Sequence, residues 1–584
     1  MTPWIMLASL GCQNPAHRTM NDEEKDEQFY RDTESVAFPK LDDRQLAMLE
    51  PLGTRRILKR GEMIFKAGQR NLGMAVILTG EIEAFEKRDD GELVLATSGP
   101  RDFVGDVAML NGTCAIASVR GSAEESEILE VPAAALRKAL VELPGVGETI
   151  ISAFIMRRER LQRGKDFIGF RVVTAKGSHD GHLIDDFLDK NHIPHRVIHW
   201  DSEDGQKLRE RMNLNARDLP VLIASDGMPL CRPSLREVAQ AAGLMRPLAN
   251  ENSDEIRCDL AIVGAGPAGL AAAVCAASEG LSTVVLESYA PGGQAAMSSL
   301  IENFFGYPTG ISGGNLTKRA QLQAYRFGAK FSTPAQALSL AHMKGEYAGE
   351  IRIEGCHATL FAKCVIIATG AEYRRIEAEG REDYDGSGVY YAATAREGQL
   401  CRDTTVIVAG GGNSAGQAAM FLSECAAKVL LVIRGGDLSK SMSSYLSRRV
   451  ESKSNIEILY FTEIRKMTGG KCLQVVELEN TATGELRVEK ICAVFSMIGA
   501  KPCTGWLPPE IECDENGFVK TGATVAGSPA WEGIGRAPGA LETSCPGIFA
   551  AGDVRSGSVK RCAAAVGEGG MAVEGVHQAL GTYA

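Results

Sequence analysis

The 584-residue sequence contains no two cysteines separated by only two residues, although its 15 cysteines are scattered from Cys12 to Cys562. Zinc-ribbon spacing and a Cys-x-x-Cys redox pair are therefore both absent. The sequence also contains no fixed-period repeat and no low-complexity tract. Apolar residues make up 45% of it and charged residues 23%, close to the globular average, which excludes a disordered, collagen-like or coiled-coil protein over most of the length.

The sequence also lacks the excess of positive charge that is typical of nucleic-acid-binding proteins, because its formal net charge is -11. A secretory signal is poorly supported, since no basic residue precedes the apolar segment at residues 1–12. Residues 1–36 are predicted to be a flexible acidic tail, with Met20 as an alternative start. Unpaired thiols in a chain without an export signal indicate the cytoplasm.

One long hydrophobic run remains, at residues 260–277, where eighteen residues carry no charge. That length reaches the lower limit for a membrane-spanning helix. Three glycines and a proline interrupt the run, so a strand, a turn and a helix are the better interpretation. No membrane partner is expected.

Three blocks follow one another along the chain, which indicates a multidomain α/β protein. Residues 37–166 alternate apolar and polar positions between recurring glycines, a pattern typical of a compact antiparallel β-roll. Residues 167–250 have the pattern of a small α/β domain, and a linker rich in proline, asparagine and acids covers residues 245–257. From residue 254 onwards strands alternate with helices, as in the βαβ units of a parallel sheet.

The first motif of the third block is LAIVGAGPAGLAAAV, in which an apolar strand leads into Gly264, Gly266 and Gly269. In a dinucleotide fold these glycines permit a tight turn, an approach of the backbone to a pyrophosphate, and close packing of helix on strand. The next strand leads to Glu287, where a carboxylate accepts hydrogen bonds from ribose hydroxyls. The motif therefore predicts a dinucleotide site.

The second motif is TVIVAGGGNSAGQAAMFL, in which Gly410, Gly412 and Ala415 take the corresponding positions. Its second strand ends at Arg434, where the first motif has an acid. An arginine pairs with a 2′-phosphate that a carboxylate would repel, so this site is predicted to bind NADPH rather than NADH. The alternative is a solvent-facing arginine at a strand end. Two such motifs imply two dinucleotides, a flavin and its hydride donor.

Residues 259–584 resemble the low-molecular-weight thioredoxin reductase family of flavoproteins. The motifs that carry this resemblance are GAGPAG, PGGQ at 291–294, IENFFGYP, ATG at 368–370, GGGNSA at 410–415, FSMIGAKP at 495–502 and PGIFAAGDV ending at Val554. The resemblance implies an FAD domain, residues 254–372 and 498–584, with an NADPH domain inserted at residues 373–497. It also implies FAD and NADPH as cofactors, and a homodimer.

The resemblance further implies which residues hold the cofactors. For FAD they are Gly264, Gly266, Gly269, Glu287, Gly293, Gln294, Asn303, Gly552 and Asp553, with Arg561 and Ala563 beside the flavin. For NADPH they are Gly410, Gly412, Asn413, Ser414, Ala415 and Arg434. No catalytic residue is assigned, and Cys562 is either a spare thiol near the flavin or a packed small hydrophobe.

The sequence departs from this family where the redox pair would lie. Family members with thioredoxin reductase activity carry Cys-x-x-Cys just upstream of the second glycine motif, and the segment GVYYAATAREG has Ala392 and Ala395 there. An alanine methyl group forms neither a thiolate nor a disulfide, so electrons cannot reach a disulfide through these positions. The basic cluster for NADPH is only partly kept, since Gly435 follows Arg434.

The first block resembles a cyclic nucleotide-binding domain, through GEMIFKAGQ, VILTGEI and FVGDVAMLNGTCAIASV. The resemblance implies that Gly105 and Asp106 address the ribose and phosphate, but the arginine that neutralises the cyclic phosphate aligns with Ala115. Loss of this charged partner argues against cyclic nucleotide binding. We expect a scaffold or a sensor of a different ligand.

The second block resembles a thioredoxin or glutaredoxin fold. LPVLI, with Pro220, matches the loop that carries a cis-proline in that fold, whereas SHDG at 178–181 stands where the redox cysteines would be. Dithiol chemistry is therefore not expected, and Cys231 is assigned a surface or packing role. Five histidines lie between His179 and His199, but no metal site is predicted, because no thiolate or carboxylate follows them at metal-binding spacing.

These patterns together predict an FAD-dependent oxidoreductase that takes hydride from NADPH and passes electrons, without the usual Cys-x-x-Cys, to an unidentified acceptor, a small protein or a small molecule. The alternative is a flavin-containing redox sensor or docking protein without catalytic activity. Segments 371–373 and 498–501, where the chain crosses between the two dinucleotide domains, are the expected hinges.

Overall fold

The structure is a computed structural model that describes residues 22–583 apart from short gaps. Outside the described residues lie 1–21, 71, 89–90, 112, 164–168, 225–226, 246–254, 299, 344–348, 356–358, 385–387, 392, 394–397, 399, 471 and 584. The predicted linker at 245–257 falls mostly in this set. The described residues form two compact units.

The first unit is built around an antiparallel sheet. Strand Glu125–Val131 pairs with Thr54–Lys59 on one side and with Met74–Thr79 on the other. The long helix Pro144–Arg163 packs on this sheet through Phe154, whose ring centroid lies 6.1 Å from that of Phe103. The other helices of the unit are Asp22–Ala37, Asp43–Leu49 and Ala133–Glu142, and its other strands are Ile82–Arg88, Gly91–Ser98 and Phe103–Val104.

The predicted flexible tail is wrong from Asp22 onwards, because Asp22–Ala37 is a helix. Tyr30 Oη donates a hydrogen bond of 2.8 Å to Arg160 O, and Arg160 Nη1 donates one of 2.8 Å to Tyr30 O. The Arg160 guanidinium also lies 4.9 Å from the centroid of the Tyr30 ring. Contacts with the long helix thus stabilise a segment whose acidic composition alone predicts no structure.

The predicted β-roll, residues 37–166, is not contained within one compact unit. Residues 64–72 and 108–118 belong to the second unit. Arg70 Nη1 donates a hydrogen bond of 3.1 Å to Met245 O, and a Cβ on Gly243 would lie 2.6 Å from Cys114 Sγ. These two turns therefore pack against the end of the second block. The division between the units falls within strands Met63–Phe65 and Ser118–Gly121, after Met63 and after Ser118. Helix Ala108–Asn111 belongs to the second unit.

Residues 169–245, which we call the small domain, form a mixed sheet within the second unit. The strands follow the order His195–His199, Phe170–Thr174, Val221–Ile223 and Pro229–Cys231, with the first pair parallel and the others antiparallel. The helices are His179–Lys190, Glu203–Met212 and Leu235–Ala241. The Leu219–Pro220 peptide bond is cis. Phe187 and Val238, from two of the helices, are fully buried against Val172 in the core.

The SHDG segment of the small domain begins a helix. Ser178 Oγ accepts a hydrogen bond of 3.2 Å from Gly181 N and so caps helix His179–Lys190. A Cβ on Gly181 would lie 1.9 Å from Thr174 Oγ1, so the helix lies directly on the neighbouring strand. The residues at 178–181 are thus explained by capping and close packing.

A mostly parallel sheet follows. Strand Glu255–Val263 pairs in parallel with Thr283–Leu286 and with Thr359–Ile367. Its residues 260–262 are fully buried, as expected of a strand covered on both faces. The other strands of this sheet are Lys330–Ser332, Ala337–His342, Ile351–Gly355 and Ile548–Ala550, and the nearby helices are Pro267–Ser278, Gly293–Ala296, Gly313–Arg326 and Cys562–Tyr583.

A second parallel sheet lies within residues 389–496. Its strands follow the order Val389–Tyr390, Ala493–Ser496, Thr405–Ala409, Lys428–Val432 and Ile456–Leu459. An antiparallel sheet of Thr462–Gly469, Leu473–Asn480 and Leu486–Lys490 and the helices Asn413–Leu422 and Ser444–Ser452 complete this part. Where the chain enters and leaves it, Ala371–Tyr373 pairs antiparallel with Ala500–Pro502.

The predicted α/β class with parallel sheets is confirmed. Residues 260–277, the hydrophobic run, form the end of strand Glu255–Val263, a turn and helix Pro267–Ser278. Within the described part of the chain, every helix is too short or too polar to span a bilayer.

Candidate functional site

A cavity of about 1380 Å³ opens at the carboxyl end of strand Glu255–Val263. Small-molecule pockets usually enclose about 300–1,000 Å³, so this cavity suits a larger ligand such as a dinucleotide. The predicted site residues in its wall are Gly264, Gly266, Glu287, Gly293, Gln294, Asn303, Asn413, Ser414, Gly552, Asp553 and Arg561. The predicted residues outside its wall are Gly269, Gly410, Gly412, Ala415, Arg434 and Ala563. Residues from both glycine motifs thus meet at one cavity.

The three glycines of the first motif have different surroundings. Gly264 has a φ of +104°, and a Cβ there would lie 2.3 Å from Ala368 O. A Cβ on Gly269 would lie 1.9 Å from Gly264 O, so helix Pro267–Ser278 packs directly on the turn. A Cβ on Gly266 would have no atom within 4 Å, because this residue faces the cavity. The turn is therefore open towards the cavity at Gly266 and closely packed against backbone atoms at Gly264 and Gly269.

Glu287 presents a buried carboxylate to the cavity, and its residue is 9% exposed. Its Oε2 accepts a hydrogen bond of 2.8 Å from Ala265 N, and its Oε1 accepts one of 2.9 Å from Tyr289 N. Burial raises the pKa of Glu287, although these amides oppose the shift. Further polar groups that bind the carboxylate would lower its desolvation cost, and ribose hydroxyls are groups of this kind.

The PGGQ segment lies against the first glycine turn. Gly292 N donates a hydrogen bond of 2.7 Å to Ala265 O. A Cβ on Gly293 would lie 3.1 Å from the Cα of Gly266, and Gln294 Nε2 donates a hydrogen bond to Ala371 O. The segment therefore joins the turn to the strand that leaves this part of the chain.

Another part of the wall is formed by Gly552, Asp553, Lys560 and Arg561. Gly552 N donates a hydrogen bond of 2.7 Å to Glu568 Oε2 on the last helix. Burial raises the pKa of Asp553, and Lys560 Nζ donates a hydrogen bond to the Asp553 carbonyl oxygen. Lys560 also lines the cavity, but it was not predicted, although it stands next to Arg561 of the matched segment. This wall thus offers two cations beside one carboxyl group.

The second glycine motif reaches the cavity through its helix. Asn413 and Ser414, at the start of helix Asn413–Leu422, line the wall, and Asn413 Oδ1 accepts a hydrogen bond of 2.8 Å from Ser443 N. Gly410 lies behind them with a φ of +137°, and a Cβ there would lie 2.2 Å from Met497 O. Ala415 is fully buried, whereas a Cβ on Gly412 would meet only Ser441 O, at 3.9 Å.

Arg434 follows strand Lys428–Val432 and is exposed. It lies outside the cavity wall, at the carboxyl end of the second parallel sheet. That edge is where a dinucleotide binds in folds of this kind. Its assignment to a 2′-phosphate stays a prediction.

Two thiols line the cavity, Cys503 and Cys562. Burial, with a smaller effect of Asp553, raises the pKa of Cys562 to about 11. Burial also raises the pKa of Cys503 to about 11, with Glu372 contributing. Near neutral pH both thiols are protonated, so neither is an activated nucleophile. These values favour the packing role for Cys562.

The predicted positions of the missing redox pair, Ala392 and Ala395, lie outside the described residues. Immediately before them, Tyr390 and Tyr391 line the cavity. Sequence patterns did not single out these tyrosines, because an aromatic pair at the end of a short strand has no specific motif.

The small domain also contributes to the wall, which the sequence did not predict. Asp186, Asp189 and Lys190 of helix His179–Lys190 line the cavity beside Tyr289. Nothing in the helical pattern HLIDDFLDK distinguishes these charges from solvated ones. No local signal would therefore have found them.

In the first unit, Asp106 is held by an ion pair within the chain. Arg158 Nε donates a hydrogen bond of 3.0 Å to Asp106 Oδ2, and the Arg158 Nη2 donates another. Arg158 is 5% exposed. The neighbouring Arg157 Nη1 donates a hydrogen bond of 3.1 Å to Gly105 O. The groups predicted to address ribose and phosphate are therefore already bound by helix Pro144–Arg163.

The histidines of the small domain do not form a metal cluster. Among the described residues, no three histidine, cysteine or acidic side chains are arranged to hold an ion. His195 Nε2 instead lies 2.9 Å from Asp185 Oδ1, and His195 Nδ1 lies 2.8 Å from Ile193 O.

Comparison with known proteins relates these features to families. The sequence model of the family described as pyridine nucleotide-disulphide oxidoreductase matches residues 258–569, and that of the cyclic nucleotide-binding domain matches residues 55–142. The thioredoxin reductases of Treponema pallidum and Schizosaccharomyces pombe are 34% and 33% identical to this chain over 314 and 316 residues. These alignments cover 54% and 53% of this chain, and 94% and 92% of the relatives.

Among solved structures, the thioredoxin reductase of Lactococcus lactis is similar, with 27% identity and a TM-score of 0.49 over 55% of this chain and 99% of that one. The family models and the curated relatives confirm the predicted resemblances to thioredoxin reductases and to a cyclic nucleotide-binding domain. The resemblance of residues 167–250 to thioredoxin stays a prediction.

Gly269 and Gly266 of the first motif, one packed against the turn and one in the cavity wall, give a matched pair of substitutions. We expect Gly269→Ala to lower the melting temperature of the FAD-free protein, because the added methyl group would overlap Gly264 O at a cost of about 1–3 kcal/mol or more. Gly266→Ala has space for its methyl group, so it should change stability by less than about 0.5 kcal/mol and weaken FAD binding instead. Circular dichroism melting and the flavin-to-protein ratio measure the two effects. Equal melting temperatures for the two variants would contradict this assignment.

The raised pKa of Cys562 predicts its alkylation rate. At about pH 7 roughly one in ten thousand of these thiols is ionised, so iodoacetamide should modify Cys562 much more slowly than the exposed Cys472. Between about pH 7 and pH 9 the Cys562 rate should rise about tenfold per pH unit, because only the thiolate reacts. Mass spectrometry of peptides after timed alkylation measures both rates. Modification of Cys562 as fast as that of Cys472 would show that its thiol is activated.

Proposed function

The chain belongs to the pyridine nucleotide-disulphide oxidoreductase family, and on this basis we propose that it is an FAD-dependent oxidoreductase that takes hydride from NADPH. Members of this thioredoxin reductase-like family bind FAD and NADPH. The observation that carries the proposal is the shared cavity, whose wall contains Glu287, the open Gly266 and the second-motif residues Asn413 and Ser414. When bound, FAD supplies the redox chemistry, accepting hydride from the nicotinamide and delivering electrons onward.

The cavity residues fit FAD. The turn at Gly264 and Gly266 leaves the start of helix Pro267–Ser278 open, where backbone amides and the helix dipole favour a pyrophosphate. Glu287 would bind the adenosine ribose. Asp553 and Arg561 would hold the other end of the cofactor.

The second motif would hold NADPH. Asn413 and Ser414 begin a helix at the cavity wall, and Arg434 is exposed, so its guanidinium is accessible to a 2′-phosphate. The two paired segments Ala371–Tyr373 and Ala500–Pro502 are the hinges in this proposal. A homodimer, which the family resemblance implies, is part of the same proposal.

Electrons leave the flavin without a dithiol in this proposal. The sequence has alanine at positions 392 and 395. Cys503 and Cys562 both have a pKa of about 11, which argues against a substitute thiol at the cavity. The acceptor is therefore a small protein or small molecule that takes electrons directly.

The two remaining parts of the chain have non-redox roles in this proposal. The strand order of the small domain supports a thioredoxin-like fold, and the capped, closely packed segment 178–181 supports the absence of dithiol chemistry there. The ion pair between Arg158 and Asp106 supports a β-roll that does not take a cyclic nucleotide.

Anaerobic reduction tests the main proposal. We expect NADPH to bleach the flavin absorbance of the FAD-loaded protein rapidly, and NADH to do so more slowly. Arg434→Ala should raise the apparent Kd for NADPH about tenfold, because a charge-assisted pair is lost, and should leave the Kd for NADH unchanged. Stopped-flow absorbance measures both.

Arg402→Ala is the matched control, since Arg402 is an exposed arginine that precedes strand Thr405–Ala409 and lies at the opposite edge of the same sheet. It should affect neither nucleotide. A flavin that NADPH and NADH both leave oxidised would refute the enzyme and favour a flavin-containing sensor without catalytic activity.

Cyclic nucleotides test the proposal for the β-roll. We expect cAMP and cGMP at millimolar concentration to leave the melting temperature of the protein unchanged, because a ligand stabilises a protein only by binding its folded form. Arg158→Ala should lower the melting temperature, since it removes the buried guanidinium that pairs with the partly buried Asp106, and breaking a buried ion pair costs up to about 3–5 kcal/mol. Differential scanning calorimetry measures both. A rise in the wild-type melting temperature with cAMP would contradict the proposal.

A further inference from the structure

Tyr289 and Glu287 both follow strand Thr283–Leu286, yet the side chain of Tyr289 is held by the small domain. Its hydroxyl donates a hydrogen bond of 2.8 Å to Asp186 Oδ2, and its ring packs edge-on against Phe187 with centroids 5.5 Å apart. Asn191 Nδ2 donates a hydrogen bond of 3.2 Å to the Tyr289 carbonyl oxygen. Burial and Asp186 both raise the pKa of Tyr289, which keeps the hydroxyl protonated as a donor.

The same tyrosine holds the carboxylate of the cavity. Its backbone N–H donates a hydrogen bond of 2.9 Å to Glu287 Oε1, and Ser288 Oγ lies 3.3 Å from the same oxygen. Only one residue separates Glu287 from Tyr289, so an anchored tyrosine ring restrains the direction of this amide. The small domain therefore orients Glu287 through Tyr289.

Helix His179–Lys190 also reaches the cavity directly, because Asp186, Asp189 and Lys190 lie in its wall. Lys190 Nζ lies 2.7 Å from Asp186 Oδ2 and 5.3 Å from the centroid of the Tyr289 ring. The side chain of Lys190 is 31% exposed. Helix His179–Lys190 thus presents two carboxylates and one ammonium group to the wall, and the ammonium group of Lys190 is the one of the three that attracts an anionic ligand.

We propose that the small domain is part of the FAD site, in which helix His179–Lys190 closes the adenosine end of the cavity and Tyr289 positions Glu287. This inference rests on the proposed function, because it takes FAD as the ligand of the cavity. Lys190 binds the cofactor directly, and Tyr289 is a positioning residue that acts through Glu287. In this arrangement the small domain contacts only the adenosine half of the cofactor. It therefore contributes to the affinity for FAD but not to that for FMN, which lacks the adenosine half.

Flavin titration of the full-length apoprotein tests the proposal. We expect Tyr289→Ala to raise the Kd for FAD about tenfold, and Tyr289→Phe and Lys190→Ala to raise it about threefold each. Any affinity for FMN should change less than about twofold in the same variants. Flavin fluorescence gives the Kd values, and circular dichroism melting reports the fold.

Lys207→Ala is the matched control. Lys207 Nζ lies 2.7 Å from Glu203 Oε1 four residues earlier, the same geometry as the pair of Lys190 and Asp186, and it belongs to the small domain but not to the cavity wall. The Kd of the Lys207→Ala variant for FAD should equal that of the wild type.

The outcomes separate this proposal from the proposed function. FAD affinities equal to wild type in the Tyr289 and Lys190 variants would overturn the small-domain contact and leave the oxidoreductase intact. Equal losses of FAD and FMN affinity would also overturn it, because they would reflect general damage to the cavity. A wild-type apoprotein that binds no FAD would overturn both proposals. Should Tyr289→Ala not fold, Tyr289→Phe and Lys190→Ala decide, since both keep the packed ring.

Discussion

The close approach of helix Pro267–Ser278 to the end of strand Glu255–Val263 determines the geometry of the cavity. Gly264 O lies only 1.9 Å from the position of a Cβ on Gly269, so the two elements meet backbone to backbone. The last helix continues this packing, because a Cβ on Gly569 would lie 2.3 Å from Ala268 O. Since no side chain separates these elements, the N-termini of both helices converge on the carboxyl end of the sheet, where the cavity opens.

Two acids, the buried Glu287 and the partly buried Glu568, stabilise turns at the cavity wall. Glu287 accepts amide hydrogens at one turn, and at the other Glu568 accepts one from Gly552 N and pairs with Arg555. A carboxylate that accepts such charge-assisted bonds loses less on leaving water than an isolated one, so acids are tolerated in an otherwise apolar part of the sheet. The backbone turns at the cavity wall are thus fixed by side chains and not only by the sheet.

The sequence was informative wherever the physical cause is local. The spacing of Gly264, Gly266 and Gly269 reflects one turn and one helix start, so the pattern alone predicted a phosphate-binding turn, and the absence of a redox pair needed no structure at all. Tyr289 and Asp186 could not be predicted in contact, because 103 residues separate them and neither stands in a motif. The helix Asp22–Ala37 was missed for the same reason, since the hydrogen bonds of Tyr30 to Arg160 join residues 130 apart.

The two strands that connect the sheets, Ala371–Tyr373 and Ala500–Pro502, are hydrogen-bonded to each other. If the two connecting segments were not paired, the two parallel sheets could slide and rotate relative to each other in any direction. A paired ribbon resists shear between its strands and leaves twisting and bending as its soft deformations. Any relative motion of the two parallel sheets is therefore restricted by this ribbon, and Asn413 and Ser414, at the start of their helix, would move together with the second sheet.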